Sequence, residues 1–199
     1  MKRLIYAILI YFCASSAFGA AVNREMNESK ESFAMRFAPA KGQLAHPVIE
    51  TKEWHFGSPA VIAFFVHPYP PPQEDQSKFG SIVTGYIFVP LANGKYEKVE
   101  IDSYEPEGRN AEIESVFFSR TGGTREKKMF VLASWHPNQA DLYQTRIYDR
   151  PLSNSLPAKL SQDKELGLKI DGGCVYCRKG TATAIEIKQR LRGIYVSHL

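Results

Sequence analysis

Three cysteines, Cys13, Cys174 and Cys177, are all that the 199 residues contain. A metal centre built on the last two is short of two soft or imidazole ligands, with His198 the only histidine nearby. Arg178 stands where covalent haem attachment needs a histidine. Catalytic signatures are equally scarce. No HExxH, GxSxG, P-loop or GxGxxG pattern occurs, and His46, His55, His67, His136 and His198 never fall two or four residues apart. No catalytic or metal-ligating set emerges from spacing, and no cofactor is expected. Net charge is small: 25 Lys plus Arg face 21 Asp plus Glu. A nucleic-acid binder concentrates basic charge, whereas the basic clusters here, 125–128 and 188–192, are short and interrupted by Glu126 and Leu191. They read as solvated surface.

Long apolar runs are missing too. The run at 4–14 has about 11 residues against the roughly 20 that span a bilayer. With Lys2 and Arg3 before it and small residues after it, it has the form of a secretory signal peptide, cut near residues 19–21. Tyr11 and Phe12 ahead of Cys13 do not suit a lipoprotein cleavage site. The expected organisation is a signal peptide over 1–20, a polar leader and docking segment over 21–37, and a single β-rich globular domain over 38–199. Loss of Lys2 and Arg3 takes the net charge from +4 to about +2. The mature chain is expected in the periplasm or outside the cell, with no membrane span left after cleavage.

What the sequence does have is strand composition divided by turn signals. Residues 60–66 are apolar throughout, between Pro59 and Pro68, the pattern of a strand buried on both faces. The runs 82–91 and 96–102 flank Ala92-Asn93-Gly94-Lys95, and Asn-Gly tolerates the positive φ that a tight hairpin turn demands. In the second run Val99 and Ile101 alternate with Lys98, Glu100 and Asp102, so that arm should be half buried. Three further runs follow at 113–119, 129–135 and 142–149, and 129–133 is apolar enough to lie centrally. The fold class is therefore mainly β, with α+β as its variant. The strands form an antiparallel meander of about five to seven, half of a sandwich or a shape resembling one propeller blade, with one or two short helices near the C-terminus. Helix is expected over 156–166, with Pro157 in the first turn and Gly167 as the stop, then a brief strand over 168–170. The tail 181–196 suits either a helix face or a strand, and helix ending at Gly193 is the expectation. Phe33, Met35 and Phe37 mark a short element that docks after a mobile stretch over 22–30.

Function has to be sought in what remains. In an oxidising compartment Cys174 and Cys177 are expected to pair as a disulfide, a strap across the turn that Gly172 and Gly173 permit. Closing so short a loop contributes about 2 kcal/mol. A thiol–disulfide active site instead places its attacking cysteine at a helix N-terminus beside cations such as Arg178 and Lys179. Gly180 interrupts the link to the following helix, and no strand and long helix bracket the pair in that order. Trp54-His55 and Trp135-His136-Pro137 echo each other at strand ends, as packed aromatics beside hydrogen-bonded histidines. Glu105, Glu107, Glu112 and Glu114 crowd the region around Pro106 and Gly108 and read as an exposed acidic loop.

The longest connection runs from His67 to Gly80. Tyr69 among Pro68, Pro70, Pro71 and Pro72 favours a polyproline II rod, whose ordering cost on binding is small. His67, Tyr69, Pro70, Pro71 and Pro72 are thus the candidate partner contacts. These features favour an exported soluble binding module over an enzyme. Its partner is another protein or an envelope component, and an inhibitor or immunity-type role fits. The alternative is a periplasmic thiol–disulfide or hydrolytic enzyme using Cys174 and Cys177 or the histidines. Titration of the native protein with a mild reductant separates the two: the pair is expected to resist reduction, whereas opening at the potential of disulfide catalysts would favour the enzyme.

Overall fold

A computed structural model describes residues 21–54, 56–69, 80–91, 94–121, 124–136, 141–152, 155–172 and 183–196. Residues 1–20, where a signal peptide is expected, and His55, Pro70, Pro71, Pro72, Cys174, Cys177 and His198 lie outside the described residues. In chain order the described elements are β1 (Val22–Asn23), α1 (Lys30–Met35), β2 (Gln43–Leu44), β3 (Ile49–Thr51) and β4 (Ala60–Pro68). Then come β5 (Ser81–Pro90), β6 (Lys95–Tyr104), β7 (Glu112–Arg120), β8 (Lys127–Trp135), β9 (Leu142–Tyr148), α2 (Lys164–Ile170) and α3 (Ala184–Val196). The fold is mainly β with antiparallel sheets, and two of its three short helices lie near the C-terminus. No helix among the described residues is long and apolar enough to cross a membrane.

The strands divide between two sheets. One has the order β1-β6-β5-β4-β2, with β3 also paired to β4; the other has the order β7-β8-β9. The run of consecutive antiparallel neighbours is therefore two three-strand meanders, and residues 105–111 carry the chain from one to the other. Side-chain alternation explains why β4 and β8 are apolar throughout. Ala60, Ile62 and Phe64 enter the core shared by both sheets, while Val61, Ala63 and Phe65 face α1 on the outer side. Met129, Val131 and Ala133 enter the same shared core, and Phe130 and Leu132 face Leu166 and Ile170 of α2 and Ile187 and Leu191 of α3. Each sheet thus has a helix on its outer face, giving four layers. A strand buried on both sides has no polar face, as the sequence pattern indicated.

Helix α1 docks through Phe33, which is fully buried with Phe37, Phe88 and Tyr96 around it at ring separations of 5.0–5.5 Å. Burial of one such ring contributes about 2–3 kcal/mol. The stretch before it, expected to be mobile, is fastened: Val22 pairs with Tyr96, and Arg36 makes a two-pronged contact with Glu28. The Asn-Gly hairpin forms between β5 and β6, with Gly94 at φ +71° and Leu91 N–H bonded to Lys95 C=O at 2.7 Å.

Near the C-terminus the structure departs from the expected helix over 156–166. Residues 158–163 instead lie along two strand edges, joining the sheets at their open side. Glu100 N–H bonds to Ala158 C=O, and Leu160 N–H returns to Glu100 C=O, at 3.0 and 2.8 Å. Asp149 N–H bonds to Ser161 C=O at 3.0 Å, and Asp163 N–H to Ile147 C=O at 2.8 Å. Those edge groups outbid local helix propensity, which is worth only tenths of a kcal/mol per residue. The helix starts once Asp163 caps it, its carboxylate accepting from Leu166 N–H at 3.0 Å. Residues 168–170, expected as strand, are its last turn, and Gly167 lies inside it rather than ending it. A Cβ at 167 would stand 3.0 Å from Thr145 C=O, so glycine lets α2 approach β9. The tail is helical as expected, though it passes through Gly193 to Val196.

Gly85, inside β5, is tightly surrounded, since a Cβ there would fall 2.6 Å from the Phe64 ring, deep in the shared core. Gly85→Ala is expected to cost about 1–3 kcal/mol through overpacking, read as a lower denaturant midpoint with unchanged m-value.

Candidate functional site

Two polar clusters stand out against this apolar frame, and both arise at β-bulges. In β6 the pairing moves from Gly85 with Asp102 to Tyr86 with Glu100, so Ile101 is the extra residue. A bulge sets two side chains against one and slips the alternation. Asp102, expected opposite to Ile101, is consequently turned inward and only 8% exposed. In β7 the pairing moves from Ile113 with Ala133 to Ser115 with Leu132, and Glu114 is the extra residue.

Around Asp102 the partners come from both sheets and from the joining segment. Arg146 of β9 donates to its Oδ2 at 2.7 Å and Tyr148 Oη–H to the same oxygen at 3.0 Å. Lys159 approaches Oδ1 at 2.6 Å, and Ser103 N–H donates to Oδ1 at 2.9 Å. Arg146 also donates to Ser103 C=O at 2.9 Å and lies over the Tyr104 ring at 4.2 Å. Burial by itself would raise the Asp102 carboxyl, but Arg146 and Lys159 outweigh it and hold the group below the usual carboxylate range. Burial drives the Tyr104 and Tyr148 phenols well above their ordinary value, and their hydroxyls lie 3.1 Å apart. Beside this cluster a cleft of about 350 Å³ opens between β9 and α2, with Gln144, Gln162, Lys164 and Leu168 on its walls.

The second cluster lies where β7 begins and β8 ends. His136 Nδ1–H donates to Asp141 Oδ1 at 2.9 Å. Its Nε2 is 3.2 Å from Ser134 Oγ, and the Ser134 hydroxyl donates to Glu114. The Asp141 hydrogen bond raises the imidazole above its ordinary value, with Glu112 and Glu114 adding to the shift. Serine, histidine and aspartate in this order look like a hydrolase triad, yet Ser134 is fully buried and its proton is given to a carboxylate. That serine is out of reach of a substrate and poorly placed to act as a nucleophile.

Of the sequence-predicted partner contacts, His67 and Tyr69 lie at this same end of the two sheets, and Pro70, Pro71 and Pro72 fall outside the described residues. His67 Nε2 is 2.9 Å from Thr84 Oγ1, which is 3.3 Å from Ser103 Oγ, so the ring is pinned to the sheet. Tyr69 N–H bonds to Gly80 C=O at 3.1 Å, closing the base of the proline-rich connection. Asn110 Oδ1 accepts from Ser81 N–H at 2.9 Å and ties that base to the 105–111 crossing. Beside it a concavity of about 320 Å³ is walled by Gly108, Arg109, Asn110, Glu112 and His136. The tryptophans anchor opposite ends: Trp135 Nε1–H donates to Glu105 C=O at 2.8 Å and Trp54 Nε1–H to Lys127 C=O at 2.6 Å. The sequence shows Glu112 and Glu114 as part of one acidic loop and His136 as a packed strand-end residue, with nothing in their local composition to announce that they meet. The available signal was the hairpin itself, which places Glu112 opposite Ser134, two residues from His136.

Comparison with protein-family models, curated protein sequences and solved structures finds no match to this chain.

The Asp102 cluster yields a direct test. Asp102→Ala leaves Arg146 buried without its counter-charge and is expected to cost about 3–5 kcal/mol in chemical denaturation. Because the folded-state carboxyl titrates below its unfolded value, its stabilisation is present above pH 3.8 and lost as pH falls through the folded value. Asp102→Asn is expected to remove that component of the acid-unfolding curve, and an unchanged curve would count against the tie.

Proposed function

We propose that this chain is an exported binding module that holds another protein or an envelope component at one end of its sandwich. The contact surface comprises the base of the proline-rich connection at His67 and Tyr69, the 105–111 crossing and the corner at His136. Pro70, Pro71 and Pro72 join the proposal on the sequence alone, as the stiff segment that follows Tyr69. The observation that carries this reading is the Asn110 bond to Ser81 N–H, which ties the base of the proline-rich connection to the crossing that walls the neighbouring concavity. Loops gathered at one end of a rigid sheet frame are a common way to build a recognition surface.

Electrostatics points the same way. A general acid or base works best with a pKa near the operating pH. Asp102 is instead held ionised, and Tyr104 and Tyr148 are held protonated, each displaced away from neutrality. Groups locked in this way, buried in the interior, hold the frame behind the surface rigid. An inhibitor or immunity-type role, in which a preformed face covers a partner, uses such rigidity because little freedom is lost on binding.

The reading is tested by immobilising the mature chain and passing an envelope extract of the source cell over it. One retained protein or envelope component is expected, with binding weakened at least about tenfold by Tyr69→Ala or Arg109→Glu, the size expected of a hot-spot contact. Lys164→Ala, on the α2 side, should leave it unchanged. Retention of nothing, or equal retention by all variants, would contradict the assignment.

A further inference from the structure

We propose that Glu112, Glu114 and His136 form a binding site for one divalent transition-metal ion of the zinc type. One imidazole nitrogen and two carboxylate oxygens lie within 4.8 Å of one another. His136 Nε2 is 3.9 Å from Glu112 Oε2 and 3.7 Å from Glu114 Oε1. Ligands bound to a common zinc at about 2.0–2.2 Å come to rest about 3–4 Å from each other. The histidine therefore already stands at ligand spacing from each glutamate, and small side-chain rotations bring all three donors onto one ion.

His136 is also held from behind in the manner of a metal ligand, and Glu114 is steadied by a neighbouring hydroxyl. Asp141 accepts the Nδ1–H of His136, which leaves Nε2 as the nitrogen turned toward the two glutamates. A carboxylate behind a ligating histidine fixes its orientation and raises its basicity. Glu114 owes its position to the β7 bulge and is steadied by the hydroxyl of Ser134, a fully buried residue. Next to the cluster, the concavity of about 320 Å³ leaves room for water or another group on the remaining coordination positions.

The donor set selects the ion. Calcium takes six to eight oxygen ligands and magnesium demands an octahedron of oxygens, whereas one imidazole with two carboxylates suits zinc and its neighbours. An ion at this place neutralises the carboxylates of Glu112 and Glu114, which otherwise face each other across the corner. Metal binding needs no partner protein, so it stands or fails separately from the binding role.

The test is calorimetric titration of the mature chain with zinc chloride at neutral pH, its cysteines kept as they are isolated. One ion per chain is expected. His136→Ala and the double variant Glu112→Gln/Glu114→Gln should each weaken binding at least about 100-fold, and Asp141→Asn about 10–100-fold. Magnesium and calcium should not compete at equal concentration. Circular dichroism melting of the metal-free variants checks that they fold. In the wild-type protein the His136 ring resonances should shift on zinc addition while those of His46 stay. Absence of zinc binding, equal affinity after His136→Ala, or a shift at His46 in place of His136 would overturn the assignment.

Discussion

The Asp102 carboxylate is the point on which the arrangement of the two sheets depends. It sits on one sheet, Arg146 reaches it from the other, and Lys159 reaches it from the segment that joins them. Placing a carboxylate in the interior costs several kcal/mol unless its lone pairs are occupied, and here four donors occupy them. Apolar packing of the same volume would stabilise the core about as well. The tie contributes alignment instead, because its hydrogen bonds are made only when β6, β9 and residues 158–163 stand in a single relative register. Tyr104 and Tyr148 extend the same network into the shared core, so a slip of one sheet against the other breaks several bonds together.

Around that tie the layers follow from simple patterning. A sheet that is apolar on both faces needs cover on both, and each sheet obtains it from its neighbour on one side and from helices on the other. Short helices suffice, since Phe33 and Ala34 with Val48 and Phe37 cover the outer face of one sheet and Leu166, Ile170, Ile187 and Leu191 that of the other. The crossing at the His136 end carries little of this cover, Ala111 being its one member of the core cluster. The recognition surface and the metal site proposed above use its remaining residues.

Much of this was legible in the residues. Doubly buried strands at 60–66 and 129–133, the Asn93-Gly94 hairpin and a docking element at Phe33 all follow from periodicity and turn chemistry, which act within a few residues. Two kinds of feature were not legible. The bulges at Ile101 and Glu114 change which face a side chain occupies without any local composition to announce them, so Asp102 reads as a surface residue and Glu114 as part of a charged loop. Residues 158–163 carry helix-forming side chains yet run extended, because their hydrogen-bond partners at Glu100, Ile147 and Asp149 are remote in sequence. The candidate site was hidden for the same reason: Glu112, Glu114, His136 and Asp141 meet only after β7 and β8 have paired with the extra residue in place. The cysteine strap and the export segment lie outside the described residues and stay as sequence expectations.

The seam formed by residues 158–163 also imposes a timetable. Its partners on β6 lie some way upstream, and β1 likewise must find β6 before the first sheet is complete. Contacts that close long loops form late and slow the final step of folding. A polypeptide emerging from its N-terminus can build each three-strand meander early, but the seam that fastens the edges of the two sheets closes only when residues 158–163 have appeared. For a protein expected to cross a membrane as an extended thread, such postponed closure is an advantage: the compact state that would block passage is withheld until the end.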